Sequence, residues 1–392
     1  MMIKTTLALA VSLVLASSAM ASELRRVENA IPGKYIVVLK EDKIRVANAS
    51  GVAPGLAVAV EHATVDLAAR FDLDVEQIYK HAVPGFATSA SPQSLNRLLQ
   101  DPRVDYVEED GMVFLDGTQS GATWGLDRSD QRDRPLNGTY VYDYVGSAVR
   151  AYVIDSGILA SHTDFGGRVL SGYTAINDGR GTTDCNGHGT HVSGTIGGAT
   201  WGIAKSVRLV PVRVFGCTGG SANSTIIAGI DWVRANRVLP AVANMSLGGG
   251  ASSATDTAVN NLINSGVTVV VAAGNDNANA CNYSPARVTN AITVASTTST
   301  DARSSFSNYG SCVNIFGPGS SIKSAWYTST TATNTISGTS MASPHVAGAA
   351  VLVLAADNAA TPATVRSRIY NKASLNKVSD VVGSPNRLLY TR

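Results

Sequence analysis

The sequence of 392 residues predicts an α/β protein, with a mainly parallel sheet and helices on both faces, preceded by a small α+β domain. From residue 118 onward, short runs of β-branched residues alternate with helical stretches, which is the pattern of a buried parallel sheet. Between residues 22 and 117, the strand-like and helix-like segments are few and short. Hydrophobic residues make up 44% of the chain and charged residues only 15%, which excludes a predominantly disordered protein.

The first residues have the pattern of an export signal. Lys4 precedes the apolar run 7–16, and Ala19-Met20-Ala21 supplies the small-x-small pattern of a cleavage site. The run is shorter than the ~20 apolar residues of a membrane-spanning helix, and no later stretch is long enough. We therefore expect residues 1–21 to be a signal peptide and the chain to be secreted, with the periplasm as an alternative and no membrane partner.

Residues 22–117 are predicted to form the small α+β domain. Apolar alternation predicts strands at 33–40 and 104–108, and apolar residues at helical spacing predict helices at 58–71 and 94–99. Nothing in this segment has the pattern of a catalytic centre.

The two segments carry opposite charge. Residues 22–117 hold 10 Lys and Arg against 15 Asp and Glu, whereas residues 118–392 hold 20 against 14. Opposite charge favours association of the two domains, although a difference in composition alone gives the same numbers. The net charge of +2 and the lack of a basic run argue against a nucleic-acid partner.

Residues 118–392 supply the predicted parallel sheet. The predicted strands lie at 151–155, 207–214, 241–246, 267–272 and 292–295, with helices at 224–238 and 254–264. Ligands of such sheets bind beyond the carboxyl ends of the strands, so candidate catalytic residues are sought there.

Two candidates stand in suitable positions. Asp155 ends a buried strand, where a carboxylate needs a partner, although a turn-forming Asp is an alternative. His188 lies between two glycines, which permit close approach of backbone or substrate. His191 follows at a spacing that could hold a metal, but no Glu occurs in this segment to support a zinc protease. We interpret His188 as a single catalytic imidazole.

Ser340 is the third candidate. It lies in the stretch 337–348, which leads into an apolar helix, so its hydroxyl would lie beside unpaired backbone N–H groups. Developing negative charge is stabilised at such a helix end. A helix-capping serine explains the same placement, so this element alone does not establish a nucleophile.

Taken together, Asp155, His188 and Ser340 follow the chain order Asp…His…Ser of subtilisin. Their surroundings resemble the three signatures of the subtilisin-like serine proteases. The motifs are VIDSGI at 153–158, HGTHVSGT at 188–195 and GTSMASPHVAG at 338–348. Residues 118–392 are most similar to the proteinase K and aqualysin branch, as in WGLDR at 124–128.

This resemblance implies a subtilisin-like fold and a self-processing serine endopeptidase. His188 would act as general base for Ser340, and Asp155 would fix the tautomer of His188, so we expect activity to favour mildly alkaline pH.

The first domain resembles the inhibitory propeptide of this family, a ferredoxin-like open sheet that assists folding. The predicted organisation is a signal peptide at 1–21, a propeptide at 22–117 and a catalytic domain at 118–392. Self-cleavage is expected near residues 116–120.

The resemblance also implies roles in substrate binding. The Asn275 amide would form an oxyanion hole with the Ser340 N–H. Substrate would pair as an added strand, and small side chains would leave a roomy apolar pocket for broad cleavage after aromatic or aliphatic residues. The edge residues would be Gly219, Gly220, Ser221, Ser246, Leu247 and Gly248, and the pocket residues Gly248, Gly249, Ala272, Ala273 and Gly274.

All four cysteines lie in the larger segment, and export favours two disulfides over catalytic or free thiols. Spacing alone allows three pairings. The aqualysin-like pattern implies Cys185 with Cys217 and Cys281 with Cys312.

The same branch suggests structural Ca²⁺. The candidate ligands are Asp127, Asp130 and Gln131 in one loop, and the carbonyl groups of Thr289 and Ala291 at a second site. Asn137 and Asn314 stand where acidic ligands are expected. Neutral amides weaken a site for a hard cation, so we expect a modest dependence of stability on Ca²⁺.

Two other functions share part of this evidence. A lipase or esterase uses the same three groups, but its Gly-x-Ser-x-Gly elbow is absent at 338–342 and its chain order is Ser…Asp…His. A non-catalytic binding protein on this scaffold would be expected to lack one of the three groups. The sequence therefore predicts a monomeric secreted protease that acts on proteins and peptides and is inhibited by its own propeptide.

Overall fold

The computed structural model describes residues 22–27, 30–47, 51–111 and 117–392. The chain divides into two compact units, Met1–Phe114 and Leu115–Arg392. The predicted signal peptide at 1–21 and residues 112–116 of the region around the expected cleavage lie outside the described residues.

The first unit is an open sheet with helices packed on it. Its strands are β1 (Glu23–Arg25), β2 (Ala30–Leu39), β3 (Asp74–Tyr79), β4 (Gly85–Ser89) and β5 (Val104–Gly111), and its helices are α1 (Glu41–Ile44), α2 (Leu56–Phe71) and α3 (Pro92–Leu98). The strand order is β1-β5-β2-β4-β3, antiparallel except between β1 and β5. Apolar residues of β2, β4 and β5 form one core with α2 and α3.

The two predicted helices and two predicted strands of this unit are confirmed. Strands β1, β3 and β4 are not predicted by the local pattern, because β1 has three residues, β3 contains the polar run Glu76-Gln77, and β4 is rich in small residues. Such strands form through pairing with their neighbours, which local pattern does not show.

The second unit is built on a nine-stranded sheet. Its first elements are β6 (Gly117–Ser120), α4 (Trp124–Ser129), β7 (Thr139–Tyr142), β8 (Arg150–Asp155), β9 (Tyr173–Thr174), α5 (His188–Gly197), β10 (Arg208–Arg213), α6 (Asn223–Asn236), β11 (Ala241–Met245), β12 (Gly249–Gly250), α7 (Ser253–Asn264) and β13 (Thr268–Ala272). The remaining elements are β14 (Tyr283–Ser284), β15 (Ile292–Thr297), β16 (Ile315–Pro318), β17 (Ile322–Ala325), β18 (Thr333–Ile336), α8 (Thr339–Ala356), α9 (Pro362–Lys372), β19 (Ser374–Leu375) and β20 (Arg387–Leu388). The five predicted strands correspond to β8, β10, β11, β13 and β15, and the two predicted helices to α6 and α7.

The sheet has the order β19-β20-β16-β15-β13-β11-β8-β10-β9 and is parallel except between β19 and β20. Alternate residues of its central strands enter two different cores. One core includes residues of α5 and α8, and the other includes residues of α6 and α7. The predicted α/β architecture with helices on both faces is therefore confirmed, and the carboxyl ends of β8, β11 and β13 lie along one edge.

Helix α8 is the one helix among the described residues that is long and apolar enough to cross a membrane. Its most apolar window is 78% buried inside the protein. The helix packs against α5 and the central strands, so its apolar character is that of a core helix.

Two disulfides connect loops of this unit. Cys185 bonds to Cys217 and Cys281 to Cys312, with Cα–Cα distances of 4.8 and 5.3 Å, in the pairing that the resemblance implied. Asp178 lies close to the first disulfide, but its carboxylate is paired with Arg213 at 2.6 Å. The sulfur atoms are bonded to each other, so this cluster does not offer a set of thiolate ligands.

Candidate active site

Asp155 is the last residue of β8 and is only 1% exposed. The preceding residues of the strand are buried in the two cores, so the side chain at the carboxyl end is carried into a desolvated position. Its Oδ1 accepts a hydrogen bond from the Ser156 backbone N–H at 2.7 Å. A buried carboxylate needs such partners, and His188 supplies another.

His188 is the first residue of α5, and its side chain is 29% exposed. Its Nδ1 lies 2.8 Å from Asp155 Oδ1 and 2.9 Å from Asp155 Oδ2. Because a carboxylate only accepts hydrogen bonds, Nδ1 carries the proton, and in the neutral ring the lone pair lies on Nε2. This is the tautomer that a general base requires.

The environment of His188 acts on its pKa in two directions. Burial lowers the pKa, while the charge of Asp155 and its hydrogen bond raise it, and Asp184 adds a further raising effect. The net result is a pKa above the ordinary value of 6.5. The imidazole therefore holds a proton more readily than a free histidine, because two carboxylates lie near it.

Ser340 is the second residue of α8. Its Oγ donates a hydrogen bond to the backbone oxygen of Ser246 at 3.2 Å, and Ser246 Oγ donates to the backbone oxygen of Ser340 at 2.8 Å. In a regular helix the Ser340 carbonyl would accept from the N–H four residues on, but Pro344 has none. The hydroxyl of Ser246 occupies this free acceptor.

Asn275 is tied to the start of the same helix. Its Oδ1 accepts from the backbone N–H of Thr339 at 2.8 Å and from Thr339 Oγ1 at 2.9 Å. Because the Thr339 N–H can only donate, the oxygen of the amide must face it, which leaves Nδ2 as a donor pointing elsewhere.

A cleft of ≈ 240 Å³ joins several of these groups. It is lined by Asp155, Ser156, Asn186, His188, Phe215, Gly219, Ser246, Leu247 and Gly248. Ser340 is not among the lining residues, but its hydroxyl is hydrogen-bonded to the backbone of Ser246, which is one of them. In this arrangement the hydroxyl forms no hydrogen bond to His188. A larger hollow of ≈ 500 Å³ between α6 and α7 contains no imidazole.

Six predicted substrate-binding residues do not line this cleft. Ala272 and Ala273 are buried at the end of β13, and the Gly274 N–H donates to Thr339 Oγ1 at 3.2 Å. Gly249 pairs with Ser284 in a short antiparallel ladder. The other two are Gly220, which is exposed, and Ser221, whose Oγ donates to the Val214 carbonyl.

Three residues that line the cleft, Ser156, Asn186 and Phe215, are not among the predicted site residues. Ser156 and Phe215 each lie directly after the carboxyl end of a predicted strand. Because ligands bind beyond these strand ends, their positions in the sequence could have identified them as lining residues. Asn186 offered only its place two residues before His188.

Two protein-family models match this chain. The model of the subtilase family matches residues 146–387, and that of the peptidase inhibitor I9 family matches residues 34–116. The chain belongs to the subtilase family.

An extracellular serine proteinase of Thermus sp. (strain Rt41A) is 57% identical over 370 residues, which cover 92% of this chain and 90% of that protein. The alkaline serine exoprotease A of Vibrio alginolyticus is 49% identical over 92% of this chain and 68% of that protein. The crystal structure of a cold-adapted subtilisin-like serine proteinase has a TM-score of 0.68 and 55% identity, covering 70% of this chain and 99% of that one. This subtilase is accordingly a serine proteinase with an N-terminal inhibitor domain.

The first predicted calcium loop offers a buried, incompletely satisfied carboxylate. Asp130 Oδ2 accepts from the Val141 N–H at 2.7 Å, whereas Oδ1 is buried without a partner among the described residues. Burial, together with the neighbouring charge of Asp127, raises the pKa of Asp130 to about 6. Gln131 donates to the backbone oxygen of Asp127 at 3.1 Å. An unpartnered oxygen beside a second carboxylate fits a hard cation.

The second predicted site fits Ca²⁺ poorly. The Thr289 carbonyl accepts a hydrogen bond from Arg366 Nη1 at 3.0 Å, so a bound cation there would face a guanidinium. Asn314 Oδ1 accepts from the Thr293 N–H at 2.8 Å. With Ala291 as the remaining candidate, the charge at this site disfavours a divalent cation.

The two disulfides give a matched pair for a test, because they span nearly equal separations of 32 and 31 residues. Replacing either pair by serine should lower the free energy of unfolding by about 2–4 kcal/mol. Only the Cys185→Ser/Cys217→Ser enzyme should also lose kcat/KM, because the Cys217 carbonyl accepts from Asn186 Nδ2 at 3.0 Å and Asn186 lines the cleft. Urea unfolding measures the loss of stability, and peptide hydrolysis measures the loss of kcat/KM. An equal loss of kcat/KM in the Cys281→Ser/Cys312→Ser enzyme would contradict the role given to the bond between Asn186 and the Cys217 carbonyl.

Proposed function

We propose that this subtilase is a secreted serine endopeptidase in which Asp155, His188 and Ser340 form the catalytic triad. The observation that carries the proposal is the pair of short contacts between His188 Nδ1 and the buried Asp155 carboxylate, at a cleft that Ser246 links to Ser340. A lipase or esterase is disfavoured because the chain belongs to the subtilase family.

The reaction is acyl transfer. Ser340 Oγ bonds to the carbonyl carbon of the substrate while His188 Nε2 takes its proton, and the same proton then goes to the leaving amine as the peptide bond breaks. Water repeats the sequence on the acyl-enzyme, releasing the acid. To begin, the Ser340 hydroxyl exchanges its hydrogen bond to Ser246 for one to His188, because hydrogen bonds between catalytic groups often reach their full geometry only when substrate is bound.

Asn275 Nδ2 and the Ser340 backbone N–H are assigned to the oxyanion hole. The Thr339 bonds hold the Asn275 amide in one orientation before substrate arrives. Donors fixed in advance stabilise the developing oxyanion without reorganisation.

The substrate class is proteins and peptides, cut after aromatic or aliphatic residues with broad tolerance. The cleft residues Leu247 and Phe215 are apolar, and Asp155, its charged carboxylate, is already bonded to His188. The lining therefore offers no free acid for Lys or Arg, so binding depends on apolar contacts and pairing with backbone edges. Among the residues that line the cleft, Gly219, Ser246, Leu247 and Gly248 are assigned to those edges, and Gly248 also to the pocket for the residue before the scissile bond. Gly220 and Ser221 are assigned to the continuation of the first edge, and Gly249, Ala272, Ala273 and Gly274, which do not line the cleft, are assigned to the support of this pocket.

The chain is proposed to be made as a self-processing precursor. Residues 1–21 are assigned to the signal peptide, 22–117 to the inhibitory propeptide and 118–392 to the catalytic domain. The match of residues 34–116 to an inhibitor family and the extracellular relative from Thermus support this organisation. We expect a monomer with no membrane or nucleic-acid partner.

Ser340→Ala should abolish both casein hydrolysis and maturation. Removal of 21 residues from the 40.6 kDa chain leaves an uncut precursor of about 38 kDa. Electrophoresis of the expressed variant follows its accumulation. Normal maturation of the variant without added protease would remove Ser340 as the nucleophile.

Asn275→Ala should lower kcat by about 10²- to 10³-fold with a small change in KM, the loss typical of one oxyanion donor. Thr339→Val is the comparison variant: it removes the Oγ1 bond to Asn275 Oδ1, but the Thr339 backbone N–H still holds that oxygen, so Nδ2 stays in place and the loss of kcat should be smaller. Steady-state hydrolysis of a peptide amide measures both. Equal losses in the two variants would assign Asn275 to support of α8 alone.

Structural Ca²⁺ is proposed at the Asp127, Asp130 and Gln131 loop, where the ion would neutralise two neighbouring carboxylates. In the Ser340→Ala background, which prevents self-digestion, excess chelator should lower Tm by about 2–4 °C for each kcal/mol of binding energy lost. Asp130→Asn should remove most of this response. Asp133→Asn, at an exposed acid paired with Lys377, should retain it, and unchanged melting of the parent in chelator would refute the site.

A further inference from the structure

A second buried carboxylate, Asp184, lies in the loop that precedes α5 and His188. Only 4% of its surface is exposed. Its Oδ1 accepts hydrogen bonds from Ser156 Oγ and from the backbone N–H groups of Asn186 and Gly187, each at 2.9 Å. Its Oδ2 accepts from the Thr190 N–H at 2.9 Å and from Thr190 Oγ1 at 2.6 Å. Each of these five groups donates a hydrogen bond to Asp184, which is the pattern expected around an ionised carboxylate.

These donors belong to the two segments that carry the base and its partner. Ser156 directly follows Asp155, and its Oγ also accepts from the Gly189 N–H at 2.9 Å. His188 is the first residue of α5, Gly187 directly precedes it, and Thr190 lies in the first turn of the helix. A carboxylate before a helix N-terminus is also favoured by the helix dipole. Asp184 thus connects the end of β8 to the start of α5.

We propose that Asp184 is a positioning residue for His188, which fixes the first turn of α5 against the segment that carries Asp155. The inference rests on the proposed function, because it needs His188 to be the general base. Without Asp184, the backbone N–H groups of Gly187 and Thr190 lose a charged acceptor, and the imidazole loses its fixed direction toward the nucleophile. Misplacement of a catalytic group by about 1 Å can cost about 100-fold in rate.

The charge of Asp184 also acts on His188. The titratable groups that face the imidazole are Asp155 on β8, Asp184 in the loop before α5, and His191 on its own helix. Burial lowers the pKa of His191 to about 4, so this ring is neutral where the enzyme works. Both carboxylates raise the pKa of His188, and removal of either lowers it.

Asp184→Asn is the decisive variant, since it removes the charge and keeps the size of the side chain. Each variant is matured with a trace of the parent enzyme, and active sites are counted with a serine-directed fluorophosphonate. We expect kcat to fall about 10- to 100-fold, with KM changed less than about threefold. The acid limb of the kcat/KM profile should move to lower pH, because a base with a lower pKa stays deprotonated further into acid.

Asp164→Asn is the matched control. Asp164 is also a buried carboxylate near α5, but it accepts from the Thr200 N–H at 2.7 Å, beyond the other end of the helix. This variant should lose stability and keep the parental kcat and acid limb.

Ser156→Ala separates charge from hydrogen bonding, because it removes the link to Asp184 and keeps the carboxylate. Its kcat should fall while its acid limb stays in place. If Asp184→Asn loses only stability, as the control does, with kcat within about twofold and an unmoved acid limb, the inference is overturned. If that variant fails to fold, an unchanged kcat in Ser156→Ala overturns it instead. Retained activity in Ser340→Ala would overturn the proposed function itself, which is a separate result.

Discussion

The structure of the site depends on the cost of burying the Asp155 carboxylate. At 1% exposure, this charge has lost its water and must be compensated by hydrogen bonds from the protein. The Ser156 N–H and His188 Nδ1 provide these hydrogen bonds. The position of the imidazole is therefore fixed by the requirement to compensate the buried charge of Asp155. The same contact fixes the tautomer that leaves Nε2 as a base.

Close backbone approach makes this contact possible. A Cβ on Gly189 would lie 2.2 Å from the backbone oxygen of Gly157, so only glycine lets α5 come this near to the loop after β8. Gly187, with φ +103°, turns the chain into the helix, and a Cβ there would lie 2.5 Å from the Trp326 ring. Glycine is thus required on both sides of His188 because a side chain at either position would clash with its neighbours. These close approaches determine the position of the His188 imidazole.

The nucleophile is placed by a different device. Pro344 removes one helical donor, which frees the Ser340 carbonyl to accept from Ser246 Oγ. Ser246 Oγ also accepts from Asn244 Nδ2 at 2.9 Å, and Asn244 Oδ1 accepts from Ser343 Oγ at 2.8 Å. A buried polar network below the first turn of α8 therefore anchors it to the carboxyl end of β11. Two networks, this one and that of Asp184, hold the two halves of the proposed site.

The sequence by itself determined the α/β class, the main strands and the motifs around Asp155, His188 and Ser340. Those features depend on local periodicity and on glycine and proline, which act through neighbouring residues. It did not determine β3, β4 or the short edge strands, because pairing between distant segments stabilises them. Nor did it show that Ser340 bonds to Ser246, 94 residues away, that Asp184 gathers five donors, or that Arg366 occupies the Thr289 carbonyl. Only the tertiary structure decided these contacts, because the direction of a side chain depends on what the folded chain places opposite it.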